Sequence, residues 1–95
     1  MALTRRDLDA GRMVARARAL IRRVGLEDGR GGLIATSLPE EHALMVQEKD
    51  GPFRAYFAVD EDGYLTQDTW FELVCYILSY TDIGGADDLR LAELP

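Results

Sequence analysis

Apolar residues near the start of the chain recur at three- and four-residue steps, and this spacing constrains the fold more than any other feature. Such a stripe is typical of an amphipathic helix that buries one side. Thr4 and Asp7 form a capping pattern before it, and Gly25 follows its end. We therefore predict one helix over residues 4–24. Its apolar stripe consists of Ala10, Met13, Val14, Ala17, Leu20, Ile21 and Val24.

Three segments after this helix have the composition of short strands, namely residues 33–38, 42–49 and 53–59. Asp50 and Gly51 separate the last two segments, and an Asp-Gly pair between apolar runs is typical of a hairpin turn. Alternation in the last segment predicts one buried face and one solvent-exposed face. The residues predicted to be buried there are Phe53, Ala55, Phe57 and Val59.

A second helix is predicted from about Thr66 to Tyr80, with Thr66 as its N-cap. The element order is then α-β-β-β-α, and the predicted fold class is α+β. A three-stranded antiparallel sheet with both helices on one face would bury every apolar stripe. Residues 1–83 form the single predicted domain. Residues 84–95 are a tail for which a short helix, an edge strand and a mobile segment all stay open.

The cysteine and histidine counts exclude several kinds of site, because Cys75 and His42 are the only residues of their types. One cysteine cannot form an internal disulfide, and the two residues are too few for a structural zinc site. Nucleophilic catalysis would need Cys75, a serine or a threonine beside a base, and only His42 could be an imidazole base. Nothing in the sequence brings Cys75 and His42 together. We therefore expect a protein that is not an enzyme and has no cofactor.

The segment from Asp60 to Gly63 resembles part of a calcium-binding loop. With Gly63 at the sixth position of such a loop, Asp60 and Asp62 take the third and fifth positions. Ala58 and Thr69 then occupy the first and twelfth positions, so two charged ligands are missing. We interpret the segment as a turn before the second helix, and no metal site is predicted.

The net charge is −6, from 11 basic and 17 acidic side chains. This balance argues against direct binding to nucleic acid or to anionic membranes. No apolar run is long enough to span a bilayer, and the first residues lack the apolar segment of a signal peptide, so a cytoplasmic location is the default. The charge is distributed unevenly, because residues 1–30 carry +4 and residues 31–95 carry −10.

Two charged surfaces follow from this asymmetry, and each has a simple alternative. On the first helix an arginine ridge is predicted opposite the apolar stripe, as either a partner-binding surface or a face that is solvated or paired with the acidic body. An acidic surface is predicted around the second helix, as either a partner-binding surface or an aid to solubility. The arginine ridge consists of Arg5, Arg12, Arg16 and Arg23, and the acidic surface of Asp60, Glu61, Asp62, Asp68 and Glu72.

The element order and the segment GPFRAYFAV, residues 51–59, resemble the double-stranded-RNA-binding domain. That family has lysines at the start of its last helix, where this chain has Thr66, Gln67 and Asp68, so RNA binding is not expected. The small size, the acidity and the element order also resemble type III secretion chaperones. Both resemblances concern topology, which does not by itself define a function.

The function we expect from the sequence is that of a small acidic, non-enzymatic binding protein. It would act as an inhibitor or adaptor on a basic protein partner, such as a nucleic-acid-binding enzyme or complex. In this it resembles small acidic phage proteins, anti-CRISPR inhibitors among them. A self-assembling structural domain, including a homodimer, and a secretion-chaperone-like adaptor are the alternatives.

Overall fold

The computed structural model describes residues 4–27 and 32–81. It contains two helices and a three-stranded antiparallel sheet in the order α-β-β-β-α, which confirms the predicted α+β class. Short 3-10 turns at Arg5–Leu8 and Pro39–Glu41 precede the first helix and the second strand. The elements are α1 (Ala10–Arg23), β1 (Leu33–Leu38), β2 (Ala43–Glu48), β3 (Arg54–Ala58) and α2 (Gln67–Leu78).

The predicted helix over 4–24 is interrupted at Asp9, which corrects the expectation of one continuous helix. Thr4 and Asp7 do form a reciprocal capping box, but this box caps the N-terminus of the short 3-10 turn Arg5–Leu8 and not that of α1. Asp9 has an extended backbone, with φ −55° and ψ 132°, and its carboxylate accepts a hydrogen bond from the amide of Arg12. Asp9 is therefore a second N-cap, and α1 begins at the residue that follows it.

The sheet is a simple meander in the order β1-β2-β3. Its register aligns Thr36, Met45 and Tyr56 in one row, and residues aligned in this way point to the same side of the sheet. The other side carries the strand residues of the hydrophobic core, which are Leu33, Ala35, Leu44, Val46 and Phe57. Both helices cover that side, as the sequence predicted.

The core lies between the helices and the covered side of the sheet. Trp70, Met13, Ile21 and Leu44 are each at most 2% exposed. Burying a large apolar side chain contributes roughly 1.5–3 kcal/mol, so this layer supplies most of the stability. Phe53, which was predicted to be buried, is instead 67% exposed, because it lies in the hairpin turn before β3.

The connection between β1 and β2 is a short turn over residues 39–42. Pro39 begins a 3-10 turn, and His42 follows it in a left-handed conformation with φ 51°. His42 was predicted as the first residue of the second strand, whereas it forms the corner before that strand.

No helix in the described parts of the chain is long and apolar enough to cross a membrane. The predicted tail, residues 84–95, lies outside the described residues.

Candidate functional site: an acidic groove beside the turn after β3

The turn Asp60–Gly63, which we call the acidic turn, is held by the side chain of its first residue. The Asp60 Oδ1 atom accepts hydrogen bonds from the amides of Asp62 (2.9 Å) and Tyr64 (3.0 Å). Aspartate commonly forms such side-chain turns, and Gly63 supplies the positive φ of 89° that completes it. Asp60 therefore has a structural role within the acidic surface predicted from the sequence.

Backbone hydrogen bonds fasten the acidic turn to the start of the chain. Ala10 donates its amide hydrogen to the carbonyl of Gly63 (2.8 Å), and Leu65 donates to the carbonyl of Leu8 (2.9 Å). Tyr64 and Asp9 form an isolated antiparallel bridge between these two bonds. The beginning of α1 and the segment before α2 thus form one rigid corner, although more than 50 residues separate them in sequence.

Arg5 crosses from the predicted arginine ridge to the predicted acidic surface. Its guanidinium lies 3.4 Å from an Asp60 carboxylate oxygen and 3.3 Å from one of Asp62, and it stacks 4.4 Å from the ring centroid of Tyr64. Because all three charged groups are exposed, these ion pairs are weak. The pKa of Asp60 lies below its usual value, chiefly through the hydrogen bond from the Tyr64 backbone and further through the Asp62 amide and Arg5.

A groove of about 370 Å³ opens beside the acidic turn, between the start of α1 and the corner before β2. Four acidic residues line it, namely Asp9, Asp60, Glu61 and Asp62, and His42 lines it as well. No lysine or arginine lines it within residues 4–27 and 32–81. We call this feature the acidic groove, and its chemistry suits a cationic group that enters from outside.

The structure brings together only part of the acidic surface predicted from the sequence. Asp60, Glu61 and Asp62 all line the acidic groove, whereas Asp68 and Glu72 lie on the exposed side of α2 and do not line it. Glu61 is exposed and forms no ion pair or hydrogen bond within the described parts of the chain. Glu61 is therefore the groove carboxylate with the greatest freedom to meet a ligand.

The arginine ridge is less uniform than the helical spacing suggested. Arg5 lies outside α1, whereas Arg12, Arg16 and Arg23 lie on it. Arg12 and Arg23 are exposed, while the Nη1 atom of Arg16 is buried and has no hydrogen-bond partner. Two arginines beside the ridge have internal partners: Arg18 donates to the carbonyl of Ala35 (3.0 Å), and Arg22 pairs with Glu27 (2.8 Å).

The residues considered for catalysis do not form a shared site. His42 lines the acidic groove, but Cys75 lies exposed on α2 and does not line it. Among the described residues, no group of three or more histidine, cysteine, aspartate or glutamate side chains is arranged to hold a metal ion. The geometry therefore offers a charged groove rather than a nucleophile with its base.

Asp9 and His42 are groove residues that the sequence analysis missed. Asp9 reads as one more charge in a helix, and His42 as the start of a strand. Only the folded chain brings them to the acidic turn, so no local pattern could have indicated them.

Searches against models of protein families, curated proteins and solved structures gave no match for this chain.

Proposed function

We propose that this chain is a non-enzymatic binding protein whose acidic groove receives a cationic side chain from a basic partner protein. The observation that supports this is the concentration of four carboxylates around one groove with no basic residue lining it in the described ranges. Arg5 offsets only part of that charge, since it contacts Asp60 and Asp62 but neither Asp9 nor Glu61.

An arginine side chain is the ligand that suits this groove best. Its planar guanidinium donates paired hydrogen bonds to carboxylates, and it is less strongly hydrated than an ammonium group. The intramolecular contact of Arg5 with Asp60 and Asp62 already shows how a guanidinium approaches this turn. The net charge of −6 would also steer a basic partner toward the chain before contact.

In its more specific form, the proposal is that the partner is a nucleic-acid-binding protein and that this chain acts as its inhibitor or adaptor. A surface of carboxylates can occupy a basic groove that otherwise holds phosphates, and binding would then weaken steeply with salt. The resemblance to small acidic phage inhibitors, anti-CRISPR proteins among them, belongs to this level of the proposal, as does a cytoplasmic location.

The proposal is tested by titrating the protein with a synthetic deca-arginine peptide at low and high salt while amide chemical shifts are recorded. We expect the largest shifts at Glu61, Asp62 and His42. Glu61→Arg should weaken peptide binding by on the order of tenfold, because it removes one carboxylate and adds a repelling charge. Glu72→Arg is the matched control, because it changes the net charge equally on an exposed side chain that does not line the groove.

Two results would contradict the proposal. Equal weakening by Glu61→Arg and Glu72→Arg would mean that the peptide responds to net charge alone. Shifts on α2 without any at the groove would place the contact elsewhere. If the groove does respond, affinity capture at low salt, followed by elution at high salt, would identify the natural partner.

A further inference from the structure

Hydrogen bonding in the β2–β3 ladder shows which backbone groups of β3 point out of the sheet. The amide of Glu48 bonds to the carbonyl of Phe53, and the amide of Val59 bonds to the carbonyl of His42. Hydrogen-bonded and non-hydrogen-bonded pairs alternate along antiparallel strands. The backbone amide and carbonyl groups of Ala55 and Phe57 therefore also point toward β2. The backbone groups of the three remaining residues, Arg54, Tyr56 and Ala58, therefore point away from the sheet.

The two edges of the sheet differ in how these outward groups are satisfied. At β1, the amide of Leu33 donates to the carbonyl of Leu26, and the carbonyl of Ala35 accepts a hydrogen bond from the Arg18 side chain. At β3, none of the outward amide or carbonyl groups has a partner among residues 4–27 and 32–81. An open edge of this kind is a template for another strand.

We propose that β3 pairs with β3 of a second copy of this chain, antiparallel and with Tyr56 on the two-fold axis. In this register Tyr56 bonds reciprocally to Tyr56 of the second copy, and Arg54 bonds to Ala58 of that copy. Of the antiparallel registers, this one satisfies all three outward residues of both chains. The result is a six-stranded sheet with the helices of both copies on one side.

The composition of the edge makes it complementary to itself. The strand begins with the positive charge of Arg54 and is followed by the acidic turn, so two antiparallel copies bring the opposite charges together. Pro52 precedes the strand and the acidic turn follows it, and these limits match the three-residue pairing. Tyr56 is 53% exposed in the single chain and would meet the same ring of the second copy.

The side of the sheet away from the helices also favours association of this kind. The strand residues on that side, which we call the open face, include no acidic residue although the chain has 17. A charge-free row formed by Thr36, Met45 and Tyr56 would continue directly into the second copy. Repulsion between the two negative chains is therefore smallest where the strands would meet.

Amide hydrogen exchange of the unmodified full chain tests the pairing directly. Exchange rates of individual amides are compared at protein concentrations from about 10 μM to about 1 mM. This range brackets the dissociation constant expected for a reversible dimer with a short interface. We expect the amides of Arg54, Tyr56 and Ala58 to exchange fast in dilute protein and more slowly in concentrated protein. The amides of Ala55 and Phe57 should be protected throughout, because they bond to β2, and they serve as the internal control.

Fast exchange of the Tyr56 amide at every concentration would overturn the proposal. Protection that does not depend on concentration would also overturn it, because the edge would then be covered within one chain. Both readouts come from unmodified protein, so neither depends on a variant that folds.

Sedimentation of two lysine variants separates edge pairing from contact through the open face. Tyr56→Lys places like charges together on the two-fold axis and should raise the dimer dissociation constant by on the order of tenfold or more. Thr36→Lys adds the same charge in the same row at the opposite edge, and it should leave association unchanged. Equal weakening by both variants would place the contact on the open face and would refute the edge pairing.

Discussion

The two sides of the sheet differ more than their sequences suggest. On the covered side, Leu44 and Val46 are at most 1% exposed and lie beneath the two helices. On the open face, Ile34 is 38% exposed and Tyr56 is 53% exposed, with no described element above them. The same three strands thus supply one wall of the core and one open face, on which Tyr56 is half exposed while Ala43 and Met45 are buried. The contrast shows that apolar strand residues alone do not reveal which side the helices will cover.

The charged groups follow the same division. Carboxylates gather at the rim of the sheet, around the acidic groove, while the open face has none. The proposed partner contact uses the acidic groove, whereas the proposed self-pairing centres on Tyr56, which does not line that groove. Glu61→Arg and Tyr56→Lys therefore test the two contacts with different residues.

The largest expected difference is between Trp70 and Tyr56. Trp70→Ala should lower the free energy of unfolding by about 3–5 kcal/mol, because it leaves a cavity between the helices and the sheet. Tyr56→Ala should cost about 1 kcal/mol or less in dilute protein, because half of the ring is already exposed. Urea unfolding, measured at protein concentrations too low for the proposed dimer to form, gives both free energies. Similar costs would show that the open face is covered in the single chain.

A sharper version of this comparison uses the neighbours Leu44 and Met45, which point to opposite sides of β2. Leu44→Ala should cost about 2–5 kcal/mol, because its side chain lies in the core cluster. Met45→Ala should cost less, about 1–2 kcal/mol, because Met45 lies outside the core cluster on the side of the sheet away from the helices. The same urea experiment measures both, and a reversed order would contradict the assignment of the two sides.

A pH effect is expected on the covered side, where Tyr80 donates to or accepts from the hydroxyl of Tyr76 at 3.0 Å. This hydrogen bond, with some burial and the nearby Glu48, raises the pKa of Tyr80 to about 12. The folded state therefore holds this proton more tightly than the unfolded state, so the contribution is complete below pH 10 and is lost as the pH rises toward 12. In an ultraviolet titration, Tyr76→Phe should move the pKa of Tyr80 back toward 10. An unchanged titration would rule out the hydrogen bond as the main cause.

The smallest effect is expected at the rim, where Asp60 has the opposite pH dependence. Its lowered pKa means that the folded state binds the proton less tightly than the unfolded state. Stability is therefore present above the usual value of 3.8 and is lost as the pH falls through the folded pKa. Asp60→Asn should therefore reduce the loss of unfolding free energy at acid pH, which is measured by urea unfolding at a series of pH values. Glu61→Gln is the matched control, because it removes a carboxylate of the same turn that accepts no hydrogen bond from the described residues.

Local chemistry was sufficient to predict much of the fold. β1 lies at residues 33–38 as predicted, because Pro39 cannot continue the strand. Thr66 caps α2 as expected, accepting a hydrogen bond from the amide of Thr69. The break at Asp9 was missed, because the capping pattern of Thr4 and Asp7 indicated an earlier start, whereas Asp9 caps a new helix. The exposure of Phe53 was missed because alternation shows the side of a strand but not where the strand begins, and Phe53 lies in the turn before β3.

The sequence by itself determined the class of the fold, the two helix faces and the uneven charge, since each follows from spacing or composition within one segment. The tertiary structure alone decided that Asp9 and His42 join the acidic turn around one groove, and that Arg5 pairs with Asp60 and Asp62. It also decided that two outward backbone groups of β1 have hydrogen-bond partners, whereas those of β3 have none among residues 4–27 and 32–81. These features depend on contacts between residues far apart in the chain, which no periodicity records.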